Sequence, residues 1–336
     1  MVVFMKNNAS EEEVEAVIKK LNAFGFDVHR SSGVSQTVLG AIGVSPGFDH
    51  RIFRGLSGVA DVQRVTEPYK LASRVGRDTS TVVDVDGVKM GGTAITVIAS
   101  ITSLESILQL KQIEPKLRSS GVSLIQGTVL KPRTSFYDYH GVEEEHLMLM
   151  HQIVDECGFK LMLEVSTSDL AEKTANYASM LLVGARNMQN FGLLQVLGEI
   201  NKPVLLERGF AATVEEWIMS AEYLMRAGNT NIILCERGIR TFEVATRYTL
   251  DLSAVSIAKS KSHLPVFVNP SQGVRLRDHV RPMASAAIAA GADGVVIHLQ
   301  NESMNVTKSV SEALNLDQFR GLIEEVKQIG QIIGRT

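Results

Sequence analysis

Residues 203–235 are PVLLERGFAATVEEWIMSAEYLMRAGNTNIILC, and they contain the unit that decides the fold. The apolar run Pro203–Leu206 predicts a strand, residues 213–227 have the apolar spacing of an amphipathic helix, and Ile232–Cys235 predicts the next strand. The same alternation begins at residue 94 and gives eight candidate strands: Ile95–Ala99, Leu124–Gly127, Lys160–Val165, Met180–Val183, Pro203–Leu206, Ile232–Cys235, Pro265–Val268 and Gly294–His298. Eight strand–helix units are typical of a (β/α)8 TIM barrel, whereas a doubly wound sheet rarely needs eight. We therefore predict a barrel over residues 94–336, with its functional site at the C-terminal ends of the strands.

A different pattern precedes the barrel. In residues 1–67 the apolar strand Val2–Met5 is followed by Ser10 and Glu13, which are spaced as the capping box of a helix. A short helix is expected at 48–55, and further strands are predicted at Phe26–His29, Thr37–Ile42 and Val59–Val65. The order βαββαβ is that of a ferredoxin-like α+β domain. Residues 68–93 are predicted to be a connector containing a hairpin with Asp-Gly at its turn.

The composition excludes several classes of protein. The chain has 336 residues, of which 45% are hydrophobic, and 34 Lys+Arg against 37 Asp+Glu give a net charge of −3. Its two cysteines, Cys157 and Cys235, supply neither a disulfide framework nor a cysteine-rich metal cluster. No run of about 18 apolar residues predicts a membrane span, and the near-neutral charge argues against a nucleic-acid surface. We therefore expect a cytoplasmic protein whose partner is a small molecule, with no membrane and no nucleic acid.

Strong cations follow several of the predicted strands, namely Lys131, Arg133, Arg186, Arg208 and Arg237. The planar fork of arginine matches a phosphate or a carboxylate, so their convergence at one end of a barrel predicts binding of a small anion. The structural alternative is that these arginines pair with Glu164, Glu207 and Glu236 and hold the rim of the barrel together.

Three residues at strand ends are candidate catalytic groups. His298 ends the last strand and is a candidate general acid or base, since histidine titrates near neutral pH. The alternative is a rim histidine hydrogen-bonded to Gln272 or Gln300. Glu207 is either a carboxylate base or half of an ion pair. Lys131 is the strongest candidate for a ligand contact, as the anchor of a carboxylate or as a proton donor.

Four long motifs resemble those of a known family: KPRTS at 131–135, GARNMQNF at 184–191, KPVLLERGF at 202–210 and ILCERGIRTFE at 233–243. They are similar to 3-deoxy-7-phosphoheptulonate (DAHP) synthases, in particular the short type with an N-terminal ferredoxin-like domain. The family condenses phosphoenolpyruvate with erythrose 4-phosphate, with a divalent metal, at the head of the shikimate pathway of aromatic amino-acid biosynthesis. The resemblance implies that Arg186 and Arg237 are phosphate and carboxylate contacts, and that the aldose phosphate is bound by Lys131, Arg133, Thr134 and Ser135. We add Arg208 and Gln272 to the predicted substrate contacts.

The chain departs from this family where the resemblance places the metal. The cysteine, histidine, glutamate and aspartate ligands of the family correspond here to Thr102, Gln272, His298 and Ser309. A lysine that contacts phosphoenolpyruvate is replaced by Glu207, and an arginine by Gln126. Neutral oxygen donors and one imidazole hold Mn²⁺ or Fe²⁺ weakly, and Glu207 repels an anion. We therefore expect no cofactor, no divalent metal and loss of the ordinary condensation.

Three hypotheses for the function follow. The leading one is a repurposed, metal-independent enzyme, lyase- or transferase-like, acting on an anionic phosphate or carboxylate of shikimate-related or specialised metabolism. The second is a non-catalytic regulatory homologue that binds a ligand, and the third is a working DAHP synthase. In the small domain, His29 and Ser31 fall where the family binds an aromatic amino-acid effector. The resemblance also implies a homotetramer or a homodimer.

Overall fold

The structure is a computed structural model that describes residues 1–32, 37–45, 48–63, 68–75, 77, 79–101, 110–127, 144–274, 276–300 and 312–335, with the side chains of residues 31 and 32 left out. The chain divides into two compact units, Met1–Thr79 and Ser80–Thr336. This division falls inside the predicted connector 68–93, whose two boundaries remain predictions. Within the described ranges, no helix is both long enough and apolar enough to cross a bilayer.

The first unit is built on a four-stranded antiparallel sheet in the order β2-β3-β1-β4. Its elements are β1 (Val2–Met5), α1 (Glu11–Ala23), β2 (Asp27–Ser32), β3 (Thr37–Ile42) and β4 (Val59–Gln63). The predicted capping box is present, because the Ser10 hydroxyl accepts from the Glu13 amide and the Glu13 carboxylate accepts from the Ser10 amide. In place of a helix at 48–55 the chain forms one 3-10 turn, His50–Phe53, which buries Phe53 in the core of this unit. The ferredoxin-like arrangement predicted from the sequence is confirmed.

The second unit begins with a hairpin of β5 (Val83–Val85) and β6 (Val88–Met90). Asp86 and Gly87 both have positive φ angles, 48° and 93°, as the predicted Asp-Gly turn requires. Val83, Val85 and Met90 are fully buried against side chains of the barrel strands, among them Ile98 and Phe267. The hairpin is thus part of the barrel core.

Eight parallel strands close into a barrel, as the sequence predicts, and β14 completes it by pairing with β7. The strands are β7 (Thr96–Ile101), β8 (Leu124–Gly127), β9 (Lys160–Glu164), β10 (Met180–Val183), β11 (Val204–Glu207), β12 (Ile232–Glu236), β13 (Val266–Val268) and β14 (Gly294–His298). The described helices are α2 (Leu110–Ser119), α3 (Glu144–Glu156), α4 (Ala171–Tyr177), α5 (Phe191–Glu199), α6 (Val214–Arg226), α7 (Leu252–Lys261), α8 (Pro270–Gly273), α9 (Arg277–Ala289) and α10 (Leu316–Ile332).

Helix α6 shows how the local sequence fixes each unit of the barrel. Thr213 and Glu216 form a capping box that satisfies the free amides at the start of the helix. Trp217 is fully buried on the inner face of the helix, and its indole nitrogen donates to the Leu206 carbonyl at 3.0 Å. This bond ties the helix to the end of β11, directly before Glu207.

Candidate active site

The strand register brings a set of polar side chains to one end of the barrel. His298 of β14 pairs with Ser100 of β7, and Ser100 pairs with Gln126 of β8. Glu164 ends β9 and Glu207 ends β11, and Gly184 follows β10 between them. Because the strands are parallel, their C-terminal ends form one mouth, which is where barrel enzymes carry out their chemistry.

Several buried polar atoms at this mouth have no hydrogen-bond partner among the described residues: Ser100 Oγ, Gln126 Oε1, Arg237 Nε and Nη1, His298 Nδ1 and Gln300 Oε1. An unsatisfied buried donor or acceptor costs about 1–3 kcal/mol, so such atoms are rare in folded proteins unless a ligand or water pairs with them. Their convergence on one face marks this mouth as the candidate active site.

Arg237, directly after β12, is the central cation of the site. It is 5% exposed, and its Nη2 donates to Gln272 Oε1 at 2.7 Å. Its guanidinium lies over the ring of Tyr248, 4.3 Å from the centroid, and also faces Phe210 at 4.9 Å. These contacts fix the plane of the fork while Nε and Nη1 stay without hydrogen bonds.

Tyr248 and Phe210 form an aromatic clamp beside Arg237 that sequence reasoning missed. Their rings are stacked, with centroids 5.1 Å apart and planes at 15°. Arg186 also faces Phe210, at 5.7 Å from the centroid. Phe210 was within reach of sequence analysis, because it comes three residues after Glu207 in ERGF. Tyr248 gave no signal, since only the antiparallel bridge between Ile239 and Thr249 brings it back to the mouth.

Glu207 lies beside Arg237 in this site. Its Oε2 is 3.7 Å from Arg237 Nε, and it accepts a hydrogen bond from the Ala185 amide at 3.1 Å. The alternative interpretation, in which Glu207 is half of an ion pair, therefore fits the geometry. Its role as a catalytic base stays a prediction.

Glu164 does not have the arginine partner that the structural alternative assigned to it. Among the described residues it forms no ion pair within 4 Å, although Arg186 and Arg237 are close enough to act on it electrostatically. Burial raises the pKa of Glu164 to about 7, the charge of Glu207 adds to the rise, and the two arginines oppose it. At neutral pH this carboxyl group is therefore partly protonated.

His298 is buried, and its Nε2 lies 3.4 Å from Nε2 of Gln272. Burial, followed by the charges of Arg237 and Arg247, lowers the pKa of His298 to about 4. The near-neutral titration expected from the sequence is therefore wrong, because solvent is too remote to stabilise an imidazolium beside these cations. The ring is neutral at neutral pH, and its catalytic role stays a prediction.

Arg208 is directed into the wall of the barrel. Its Nη1 donates to Glu236 at 2.8 Å and to Asp251 at 2.9 Å, and its Nε donates to the Ala212 carbonyl at 2.9 Å. These bonds match the structural alternative, in which Arg208 pairs with a strand-end glutamate and holds the rim of the barrel together. A substrate contact by this residue remains a prediction.

The other predicted site residues have separate outcomes. Lys131, Arg133, Thr134 and Ser135 lie outside the described residues, as do Thr102 and Ser309. In the first unit, His29 lies on β2 with Nε2 3.6 Å from Asp27, and Ser31 belongs to the same strand. An effector role for these two residues stays a prediction.

Two of the four expected metal-ligand positions, Gln272 and His298, lie in the described part of the chain. Gln272 Oε1 already accepts a hydrogen bond from Arg237. Of these two residues, His298 therefore has the atom that is still available as a metal ligand, its ring nitrogen Nδ1. No group of three or more His, Cys, Asp or Glu side chains able to hold a metal occurs in the described part of the chain. Gln272 and His298 therefore do not by themselves make a divalent-metal site.

Family models and sequence relatives match both units of the chain. The family model "DAHP synthetase I family" matches residues 75–334, and "DAHP synthase ferredoxin-like domain" matches residues 1–67. The phospho-2-dehydro-3-deoxyheptonate aldolase of Thermotoga maritima is 41% identical over 334 residues, 99% of both chains. A 2-dehydro-3-deoxyphosphooctonate aldolase of Syntrophobacter fumaroxidans is 26% identical over 216 residues, covering 61% of this chain and 74% of that protein.

Solved structures give the same result. The crystal structure of the Thermotoga maritima DAHP synthase superposes with a TM-score of 0.77 at 40% identity, covering 100% of this chain and 98% of that one. A truncated form of the Thermotoga maritima enzyme covers 80% of this chain and 98% of its own, with a TM-score of 0.73 and 41% identity.

These findings correct two expectations from the sequence. The expected repurposed enzyme that has lost the ordinary condensation is wrong, because a relative matching over the full length is a DAHP synthase. The expected absence of a cofactor is also wrong, because the family to which both matches point typically depends on a metal. Both expectations extrapolated from a few substituted positions, whereas the relationship to the family extends over the full length of the chain. The chain belongs to the DAHP synthetase I family, with that group's ferredoxin-like domain at its N-terminus.

Proposed function

We propose that the chain is a working DAHP synthase, a transferase that condenses phosphoenolpyruvate with erythrose 4-phosphate at the head of the shikimate pathway. Its relationship over the full length to the Thermotoga maritima enzyme supports this assignment. The observation that carries it is Arg237, a buried cation in the mouth of the barrel whose Nε and Nη1 donate no hydrogen bond to the described residues.

The chemistry of Arg237 fits one end of such a substrate. The planar fork of a guanidinium donates charge-assisted hydrogen bonds to a carboxylate or phosphate, and Nε and Nη1 of Arg237 are available to donate them. The stacked rings of Tyr248 and Phe210 hold this fork in one plane, so little side-chain entropy is lost on binding. An anion there would accept hydrogen bonds from nitrogen atoms that donate none within the described residues.

We further propose that the chain is a divergent member of its family at the metal-ligand positions. The support is the set of residues Thr102, Gln272, His298 and Ser309 at those positions, together with the Gln272–His298 contact. Glu207 and Gln126 add to the divergence at the positions of a lysine and an arginine. An assay with a series of divalent metals after chelation identifies the metal on which turnover depends.

The test of the main proposal is turnover of the two substrates by the purified full chain. Loss of phosphoenolpyruvate and appearance of the seven-carbon product, followed by mass spectrometry, are the expected results. Replacing Arg237 by Lys removes the fork and is expected to lower kcat/KM about 100-fold, from a loss of about 3 kcal/mol of charge-assisted hydrogen bonding. Arg226→Lys, at the exposed end of α6, is the matched control. Absence of product with every metal would refute the assignment.

The remaining expectations from the sequence are carried forward as proposals. We place the protein in the cytoplasm, as a homotetramer or homodimer that binds small anions. The arm Lys131, Arg133, Thr134 and Ser135 is proposed to hold the aldose phosphate, and His29 with Ser31 an aromatic effector. Sedimentation of the full chain tests the assembly. Inhibition by aromatic amino acids, compared with a His29→Ala variant, tests the effector site.

A further inference from the structure

Two carboxylates converge over a glycine at the mouth of the barrel. Glu164 and Glu207 end β9 and β11, the two strands on either side of β10, and Gly184 follows β10 between them. A Cβ atom at position 184 would collide with Glu164 Oε1 and lie 3.9 Å from Glu207 Oε2. The missing side chain of Gly184 therefore leaves the space that the Glu164 carboxylate occupies, with the Glu207 carboxylate next to it.

Charged groups face this pair from the neighbouring elements. After β10 comes Arg186, and β12 contributes Cys235, Glu236 and Arg237. From β8, the described residues Leu124–Gly127 contribute no titratable group. Glu236 is paired with Arg208, and among the described residues the cation within 4 Å of the pair is Arg237, beside Glu207. The charge state of the pair is thus tied to whatever Arg237 binds.

Binding of an anion at Arg237 changes this balance. Before binding, Arg237 Nε lies 3.7 Å from Glu207 and offsets its charge. An anion that accepts a hydrogen bond from the Arg237 guanidinium competes with Glu207 for this cation and adds negative charge beside Glu207. Unit charges about 4 Å apart interact by about 4 kcal/mol at an effective dielectric of 20, so two carboxylates and an anion cannot all stay charged there cheaply. Burial has already raised the pKa of Glu164 to about 7, so its protonated form is within reach near neutral pH.

We propose that Glu164 and Glu207 act as one carboxyl pair that takes up a proton from solvent when an anion binds Arg237. The site then binds an anion together with a proton. This inference rests on the anion binding assumed in the proposed function. It also accounts for a glutamate in an anion pocket, since the proton removes the repulsion at the moment of binding.

A first experiment detects the proton on the protein itself. Infrared spectra of the full chain separate protonated carboxyl groups from carboxylates. The expected result is a protonated band near neutral pH that is lost in Glu164→Gln and that grows when sulfate is added. Glu199→Gln, an exposed carboxylate at the end of α5, is the matched control and should keep the band. Identical spectra for the parent protein and Glu164→Gln would overturn the proposal.

A second experiment measures the coupling by calorimetry with sulfate, which stays a dianion throughout this pH range, and with phosphoenolpyruvate. Titration in buffers of different ionisation enthalpy should show uptake approaching one proton per sulfate above neutral pH. The Kd for sulfate should then weaken by about tenfold per pH unit. In the double variant Glu164→Gln with Glu207→Gln, the Kd should become independent of pH.

The outcomes separate the two proposals. Binding of sulfate without proton uptake and with a pH-independent Kd would overturn the coupling and leave the proposed function standing. Failure of both anions to bind the parent protein would overturn the coupling and the proposed function together. Circular dichroism of each variant confirms that a lost signal does not come from unfolding.

Discussion

Gly184 is the residue on which the arrangement of the two carboxylates depends. Its φ of −67° and ψ of 157° suit any residue, so the requirement for glycine here is space and not backbone freedom. The side chain that needs this space is Glu164, at the end of the neighbouring strand β9. A glycine with ordinary dihedral angles therefore reports a tertiary contact that its own backbone does not reveal.

Replacing Gly184 by alanine is expected to displace the Glu164 carboxylate and disturb the site. Overpacking of this kind costs about 1–3 kcal/mol of stability, and we expect kcat/KM to fall at least about tenfold. Gly192→Ala is the control, because a Cβ there meets nothing closer than Asn190 Oδ1 at 3.9 Å and alanine favours its helix. Urea unfolding and steady-state kinetics measure both effects. Equal activity of the two variants would contradict the steric argument.

Glu164 is expected to make stability depend on pH. Its pKa lies at about 7 in the folded protein against an ordinary value of 4.5, chiefly because it is buried. Between these values the folded state keeps a proton that the unfolded chain has lost, so the free energy of unfolding falls as the pH rises through this window. From about pH 5 to about pH 8, the parent protein should lose about 1–3 kcal/mol more than Glu164→Gln. Parallel pH curves for the parent and the variant, measured with denaturant, would show that Glu164 contributes nothing.

At the scale of elements, a buried ion-pair network joins the ends of β11 and β12 to the start of α7. Arg208 follows β11, Glu236 ends β12, and Asp251 caps α7 by accepting from the Ala254 amide. Glu236 is fully buried and Arg208 is 5% exposed. Burying the network costs desolvation free energy. It also fixes the directions in which the two strands end, and so places Glu207 and Arg237 beside one another.

Arg208→Met should therefore be strongly destabilising. It leaves Glu236 buried without its cation, and removing one partner of a buried pair costs about 3–5 kcal/mol. Chemical denaturation measures the loss. The loss of stability in this variant should be smaller at low pH. Burial raises the pKa of Glu236, and a protonated carboxyl group no longer needs the cation. Arg51→Met, which breaks an exposed pair with Asp49, is the control and should leave stability unchanged.

At the scale of the whole molecule, the second unit contains the candidate site and a core of its own. Val83, Val85 and Met90 of the hairpin are fully buried among barrel side chains. The hairpin therefore belongs to the barrel energetically, although it precedes the first barrel strand.

This placement predicts where the chain can be shortened. A chain starting at Ser80 should fold and keep its activity, because the closed barrel and its site lie within Ser80–Thr336. A chain starting at Gly91 should not fold stably, since each lost large apolar side chain removes about 1.5–3 kcal/mol and a whole domain has only about 5–15 kcal/mol. Thermal unfolding of the two chains measures the difference. A stable barrel without the hairpin would contradict this role.

The elements were predictable because their signals are local. The capping box at Ser10, the Asp-Gly hairpin turn and the eight strand positions each depend on residues a few places apart, which the sequence displays directly. The second helix of the first unit was overestimated. Residues 48–55 contain apolar side chains, but Phe53 is the only buried residue of the turn His50–Phe53, and one turn is enough to bury it.

The sequence by itself determined the barrel, the ferredoxin-like unit, the family and the residues at the strand ends, because periodicity and motifs are properties of neighbouring residues. It gave the wrong outcome for the reaction and the cofactor, since single substitutions were read without the surrounding site. Only the tertiary structure decided that Arg237 faces Glu207, Tyr248 and Gln272, that Arg208 bonds to groups in the barrel wall, and that Gly184 makes room for the Glu164 carboxylate beside Glu207. Closure and register of the barrel bring together side chains far apart in the chain, and so fix these contacts.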